Sequence, residues 1–103
     1  MAGPSGKPNL DAGPKLRLDK WLWQARFTKS RALAADLIDD GHVRVNGMPT
    51  TRPSREITPG DVLTFPQGRQ IRVIRIVALG YRRGPAPEAQ QLYLDLDAPS
   101  PLE

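Results

Sequence analysis

The sequence predicts an α+β domain: a two-helix hairpin followed by a small, mostly antiparallel sheet of short strands. Three observations carry this. Apolar residues recur at helical spacing through residues 15–40, the spacing shortens to two from residue 42 onward, and turn signals then punctuate the chain at short intervals. With 103 residues, 39% hydrophobic and 25% charged, the chain has the make-up of one ordinary globular domain.

Residues 1–14 (MAGPSGKPNLDAGP) hold too few apolar side chains to offset chain entropy, so a disordered tail is expected there, and another at 97–103. From 15 to 27, Leu18, Trp21, Leu22 and Ala25 share one helical face. Trp21 belongs to that stripe and should be core. Trp23 lies off it and can cover the hairpin or a later strand, or stack on a base; packing is favoured, as exposed Trp is uncommon. Thr28 or Ser30 can cap a second helix over 30–40, with Leu33, Ala34, Leu37 and Ile38 as its stripe and Gly41 as its stop. The short linker makes the two helices fold back as a hairpin or cross at an angle.

Residues 42–45 alternate, and Asn46-Gly47 is a strong hairpin signal leading to a partner strand at 48–51. Pro53 and Pro59-Gly60-Asp61 mark loops. Strands are expected at 62–65 and 70–79, a loop at 80–87 (GYRRGPAP), and a last strand in which Leu92, Leu94 and Leu96 alternate with Tyr93 and Asp95. Strict alternation puts Arg72 and Arg75 on opposite faces.

Most catalytic chemistry is excluded by composition. There is no Cys and a single His, His42, read as a surface or contact residue rather than a catalyst. No ligand cluster has metal spacing, so neither metal nor cofactor is expected. Asp39 and Asp40 are adjacent on a helix and point apart, and GYRRGP matches no phosphate-loop fingerprint. No apolar run is long enough to span a membrane and no secretory signal is evident, so the cytoplasm is the expected location.

The charge pattern is more informative. Net charge is +4, but all fifteen basic residues and only seven acids precede residue 85, giving +8 there and −4 beyond. Arg outnumbers Lys by eleven to four, and Arg forks onto phosphate and stacks on bases. Lys15, Arg17, Lys20, Arg26, Lys29 and Arg31 place six cations within seventeen residues, opposed only by Asp19. Arg44, Asn46 and Arg52 follow on the hairpin and just beyond it. If these segments pack as one unit, they form a basic surface suited to a polyanion. Arg82-Arg83 is a secondary basic tip.

These residues also carry a resemblance. LRLDKWLWQARFTKSRALAADLIDDGHVRVNG resembles the S4 RNA-binding domain, through RLDKWLW, T-K-S-R, A-x-x-L-I-x-x-G and V-R-V-N-G; SREITPGDVLTF is similar to that domain's closing turn and strand. Within that superfamily, RLDKWLWQARFTKSR looks most like the bacterial heat shock protein 15 family, and the likeness continues to about residue 96. The resemblance implies an S4-like domain at 15–66 with a β extension at 67–96 packed on it. It implies structured RNA as partner, ribosomal RNA of large subunits stalled or being recycled. It implies RNA contacts from Arg17, Lys20, Lys29, Ser30, Arg31, Arg44 and Asn46; Arg26 and Arg52 are added from local charge. Better-known members continue into a long basic C-terminal helix, whereas this sequence reaches residue 103 with an acidic end; RNA binding through the main domain is expected to persist.

The expected function is therefore non-catalytic RNA binding by a monomer, with no membrane and no small-molecule substrate. Two rivals remain at this point. A DNA-binding helix-turn-helix module would concentrate its cations on one recognition helix. A protein adaptor would use strand 70–79 as a docking edge.

Overall fold

Leu18, Trp21, Leu22 and Ala25 are all buried, so the stripe read from spacing is the face that helix α1 (Leu18–Gln24) turns to the core. The computed structural model describes residues 14–96. The tails expected at 1–14 and 97–103 lie outside the described residues, apart from Pro14, whose carbonyl accepts a 2.8 Å hydrogen bond from Thr58 Oγ1.

Helix α1 is shorter than its periodicity suggests, at both ends. Leu16–Arg17 is a two-residue strand, β1, paired antiparallel with β4 (Glu56–Ile57). The first helical amides are then met from outside the helix: Leu18 N donates to Arg55 O at 2.8 Å and Asp19 N to Pro53 O at 3.2 Å. At the far end Arg26 takes φ 66°, with Arg26 N donating to Trp23 O and Phe27 N to Leu22 O. Those two bonds make a Schellman stop, with Arg26 where glycine is usual. The reversed chain drops Phe27 against Trp21, Phe65 and Tyr93 at centroid distances of 6.0, 4.9 and 4.6 Å.

Helix α2 (Arg31–Asp39) starts at Ser30, whose Oγ accepts from Leu33 N at 3.1 Å. It ends in a second Schellman pair, Gly41 N to Ile38 O and His42 N to Leu37 O. Ala34 and Ile38 are buried and Leu37 partly so, but Leu33, at the edge of the predicted stripe, is 50% exposed.

The strands β2 (Val43–Val45), β3 (Met48–Thr50), β5 (Val62–Gln67), β6 (Gln70–Ile76) and β7 (Tyr93–Asp95) form an antiparallel sheet in the order β3-β2-β5-β6-β7. Asn46 and Gly47 both have positive φ, 52° and 83°, as the tight β2–β3 turn requires. The inner sheet face buries Val43, Val45, Leu63, Phe65, Ile74 and Ile76 under the helix pair. Burying each such side chain contributes ~1.5–3 kcal/mol.

Three expectations change. Strand 70–79 ends at Ile76 and is internal, bonded to β5 and β7, so it offers no docking edge. The 80–87 loop runs into a one-turn helix α3 (Ala86–Ala89) and a 3-10 turn (Gln90–Leu92) before β7. In β7, Leu94 is exposed while Tyr93 packs on Phe27; the register Ile76↔Tyr93 brings the ring to the inner face. Arg72 and Arg75 do lie on opposite faces. Arg72 pairs with Asp95 at 2.8 Å and lies 5.4 Å from the Phe27 ring centroid, and Arg75 is exposed.

Candidate nucleic-acid interface

Asp19 is the organising group. It lies in the first turn of α1, a position that favours a carboxylate, and is only 3% exposed. Arg17, extended in β1, reaches over it: Nε donates to Oδ1 at 3.1 Å and Nη2 to Oδ2 at 3.0 Å. Arg31, the first residue of α2, brings Nε to 3.6 Å from the same Oδ2. Burial alone would push the Asp19 carboxyl up. The Arg17 hydrogen bond, the charges of Arg31 and Arg17 and the Lys20 backbone N–H outweigh it, and hold the group below its ordinary value of 3.8. Asp19 therefore stays ionised and fixes two guanidinium groups from two elements.

Those guanidinium groups remain available. Side-chain exposure is 47% for Arg17 and 44% for Arg31. Each has five N–H donors, and the shared carboxylate occupies only part of that set. Pairing of β1 with β4 also places Arg17 over an open cleft shared with Arg52, Ser54, Arg55 and Glu56. Arg55 N donates to Arg52 O at 2.9 Å, a turn that sets both arginines on the cleft rim. Arg17, Arg52 and Arg55 outnumber the single Glu56 there. Arg55 is a residue that sequence reasoning passed over; the only available signal was its basic charge in SREITPGD, since the β1–β4 pairing has no local pattern.

The other candidates are distributed differently. Lys20 is half-buried on α1 and Lys29 exposed just ahead of α2. Ser30 is engaged as the α2 cap, and Thr28 Oγ1 donates to its carbonyl at 2.9 Å. Arg44 is exposed on the outer sheet face, opposite Thr64 and Pro49. Asn46 uses both ends of its carboxamide internally: Nδ2 donates to Asp61 Oδ1 at 3.0 Å, and Oδ1 accepts from Val62 N at 2.9 Å. Arg26 turns to the C-terminal loop, its Nε donating to Gly84 O at 2.6 Å. Arg83 is likewise engaged, with Nε on Trp23 O at 3.1 Å and its guanidinium carbon 5.9 Å from the Trp23 ring centroid, so Trp23 is covered by a later segment.

His42, Asp39 and Asp40 are exposed. No group of three or more His, Cys, Asp or Glu among the described residues could hold a metal ion, and no helix among them is long and apolar enough to cross a membrane.

The S4 domain family model matches residues 16–63. The chain is 40% identical over 84 residues to a heat shock protein 15 homolog of Aeromonas salmonicida, covering 82% of this chain and 63% of that protein. It is 44% identical over 79 residues to heat shock protein 15 of Escherichia coli strain K12, covering 77% and 59%. The chain thus spans about three-fifths of the length of these two relatives. Among solved structures it is similar to the trimeric structure of Vibrio cholerae heat shock protein 15, with a TM-score of 0.77, 42% identity, and coverage of 82% of this chain and 84% of that one.

Proposed function

The chain belongs to the S4 domain family and, within it, to the heat shock protein 15 family, and from that premise we propose that it is a non-catalytic RNA-binding protein of the bacterial ribosome. Its partner is structured RNA, ribosomal RNA of the large subunit, at the stage where stalled subunits are recycled. The observation that carries this reading is the pair Arg17 and Arg31 held on one buried carboxylate beside a cleft rimmed by Arg52 and Arg55.

A-form RNA hides its bases in a deep, narrow major groove, so recognition falls to phosphates and 2′-hydroxyls presented at a fixed spacing. Prepositioned guanidinium groups suit that task, because each forks onto phosphate oxygens with little further ordering. Lys20 and Lys29 extend the surface along α1 and ahead of α2, and Arg44 flanks it. Arg26 and Asn46 act by holding the shape of the surface. We propose the monomer as the binding unit, although the Vibrio relative is described as trimeric.

Filter binding of hairpin RNA across a salt series tests the reading. With about five phosphates neutralised, the log–log slope should be roughly −4 to −5. Arg31→Glu should cut affinity sharply and leave the fold intact. Affinity that ignores salt, or duplex DNA of the same sequence binding as well as RNA, overturns it. Co-sedimentation with large subunits, with and without a nascent chain, tests the ribosomal partner.

A further inference from the structure

A second feature adjoins the arginine cleft and has no part in the proposal above. Strand β1 is a wall with a depression on each side. Arg17 lines the cationic cleft, while Lys15 and Leu16, the residues just before it, line an apolar groove of 840 Å³ with Pro59, Val77, Leu79, Tyr81 and Leu92. That volume is within the range of small-ligand sites.

Tyr81 crowns the groove and is 100% exposed. A fully exposed aromatic ring is unusual, and here it stands on a pinned loop. Before it, Trp21 Nε1 donates to Ala78 O at 3.0 Å and Gln24 Nε2 to Leu79 O at 2.9 Å. Gly80 has φ 78°, which favours glycine, and a Cβ there would lie 3.2 Å from both Leu92 methyl carbons, a tight contact to which Leu92 would have to yield. Beyond it, Arg82 holds Glu88 at 2.8 Å and Arg83 is fastened to Trp23. The loop that carries the ring is thus held on both sides, so the backbone's share of the ordering cost is already met by the fold.

The charges identify an occupant. Among the described residues Glu88 is the single acid on the groove, and Arg82 pairs with it. Lys15 stands exposed on the rim, and Arg17 follows two residues on, in β1, at the edge of the adjoining cleft. An apolar floor, an exposed aromatic face and a cationic rim match a nucleotide, whose base is flat and apolar on its faces and whose phosphate is anionic. We propose that the groove takes an unpaired base of the bound RNA, stacked on Tyr81, with the flanking phosphates falling to Lys15 and Arg17. The inference rests on the RNA-binding reading and deepens it: the helix-hairpin surface grips the paired stem, and the groove selects stems with an adjoining single strand.

Fluorescence anisotropy with the full chain tests it, using one labelled hairpin made blunt, with a short 5′ extension, and with a short 3′ extension. One extension should tighten binding about fivefold or more. Tyr81→Ala should abolish that gain, Tyr81→Phe should keep it, and blunt-hairpin affinity should be the same in all three proteins. The proposal is overturned if neither extension tightens binding, or if Tyr81→Ala retains the gain. It is also overturned if Tyr81→Ala alters only sedimentation, which would assign the groove to a second copy. It fails likewise if removing residues 1–13 is what first lets an extension bind, which would assign the groove to that segment. The same RNAs separate the two readings. An extension that binds through Tyr81 as a free oligonucleotide, with no hairpin affinity, sinks the stem reading and keeps the groove. A hairpin sensitive to Arg31→Glu but indifferent to extensions does the reverse, and no affinity for either RNA sinks both.

Discussion

Arg31 Nε lies 3.6 Å from the same Asp19 oxygen that Arg17 Nη2 holds at 3.0 Å, so an arginine of a two-residue strand and an arginine opening a helix share one buried carboxylate. The sequence count sets Asp19 against the surrounding cations. The geometry gives it a different part: it removes one unit of charge and in return orients two guanidinium groups.

Two expectations therefore separate. If charge alone governs affinity, Asp19→Asn should tighten RNA binding by removing an acid. If orientation governs it, the same change should weaken binding, because both arginines lose their anchor. We expect weakening, by about tenfold at moderate salt, with a stability loss of roughly 1–2 kcal/mol, small because both arginines are half-exposed. Filter binding and urea melts on the two proteins measure both quantities.

The acid limb of the stability curve provides a second check. The folded Asp19 carboxyl titrates below its ordinary 3.8. The stability it contributes is then fully present above that value and is lost as pH falls through the lower, folded value. The gap between wild type and Asp19→Asn should be constant from pH 7 to about pH 5 and close progressively below pH 4. A gap that persists unchanged at pH 3 would place the origin of the difference elsewhere.

Much of this fold is written locally, and what is not local was not legible. The α1 stripe and the Asn46-Gly47 turn follow from side-chain period and turn chemistry, which act between near neighbours. The β1–β4 pair joins two residues to two others far along the chain, and such a short pairing leaves no period to detect. The Arg55 contribution follows from that pairing and was hidden with it. In β7 the leucines suggest an inward face, but the β6 register turns Tyr93 inward and leaves Leu94 outside. Local charge marks Arg26 and the S4 resemblance marks Asn46 as RNA contacts; only the folded chain shows that their side chains also hold Gly84, Asp61 and Val62.

Asn46 illustrates the consequence. Its side chain bridges the β2–β3 turn to the start of β5, through Asp61 and the Val62 amide. Asn46→Ala should cost about 1–2 kcal/mol, from two lost hydrogen bonds and a left-handed backbone that Ala tolerates poorly. Measured well below its melting temperature, the variant should bind hairpin RNA within about twofold of wild type, which corresponds to less than ~0.5 kcal/mol. A tenfold loss in a fully folded sample would instead make Asn46 a direct RNA contact.

Arg26 combines a strained backbone with a useful side chain. Its φ of 66° ends α1, and its guanidinium holds the Gly84 carbonyl at 2.6 Å. Arg26→Ala keeps the strain and loses the bond; Arg26→Gly loses the bond and relieves the strain. The glycine variant should therefore be more stable than the alanine variant by about 1 kcal/mol, the usual penalty for an L side chain in the left-handed region. If Arg26 serves the fold alone, both variants should show equal RNA affinity when folded, close to wild type. Urea melts give the order of stabilities, and anisotropy on the same samples shows whether the guanidinium also touches RNA. Equal stabilities would mean that the turn relaxes away from its left-handed conformation once the Gly84 bond is gone.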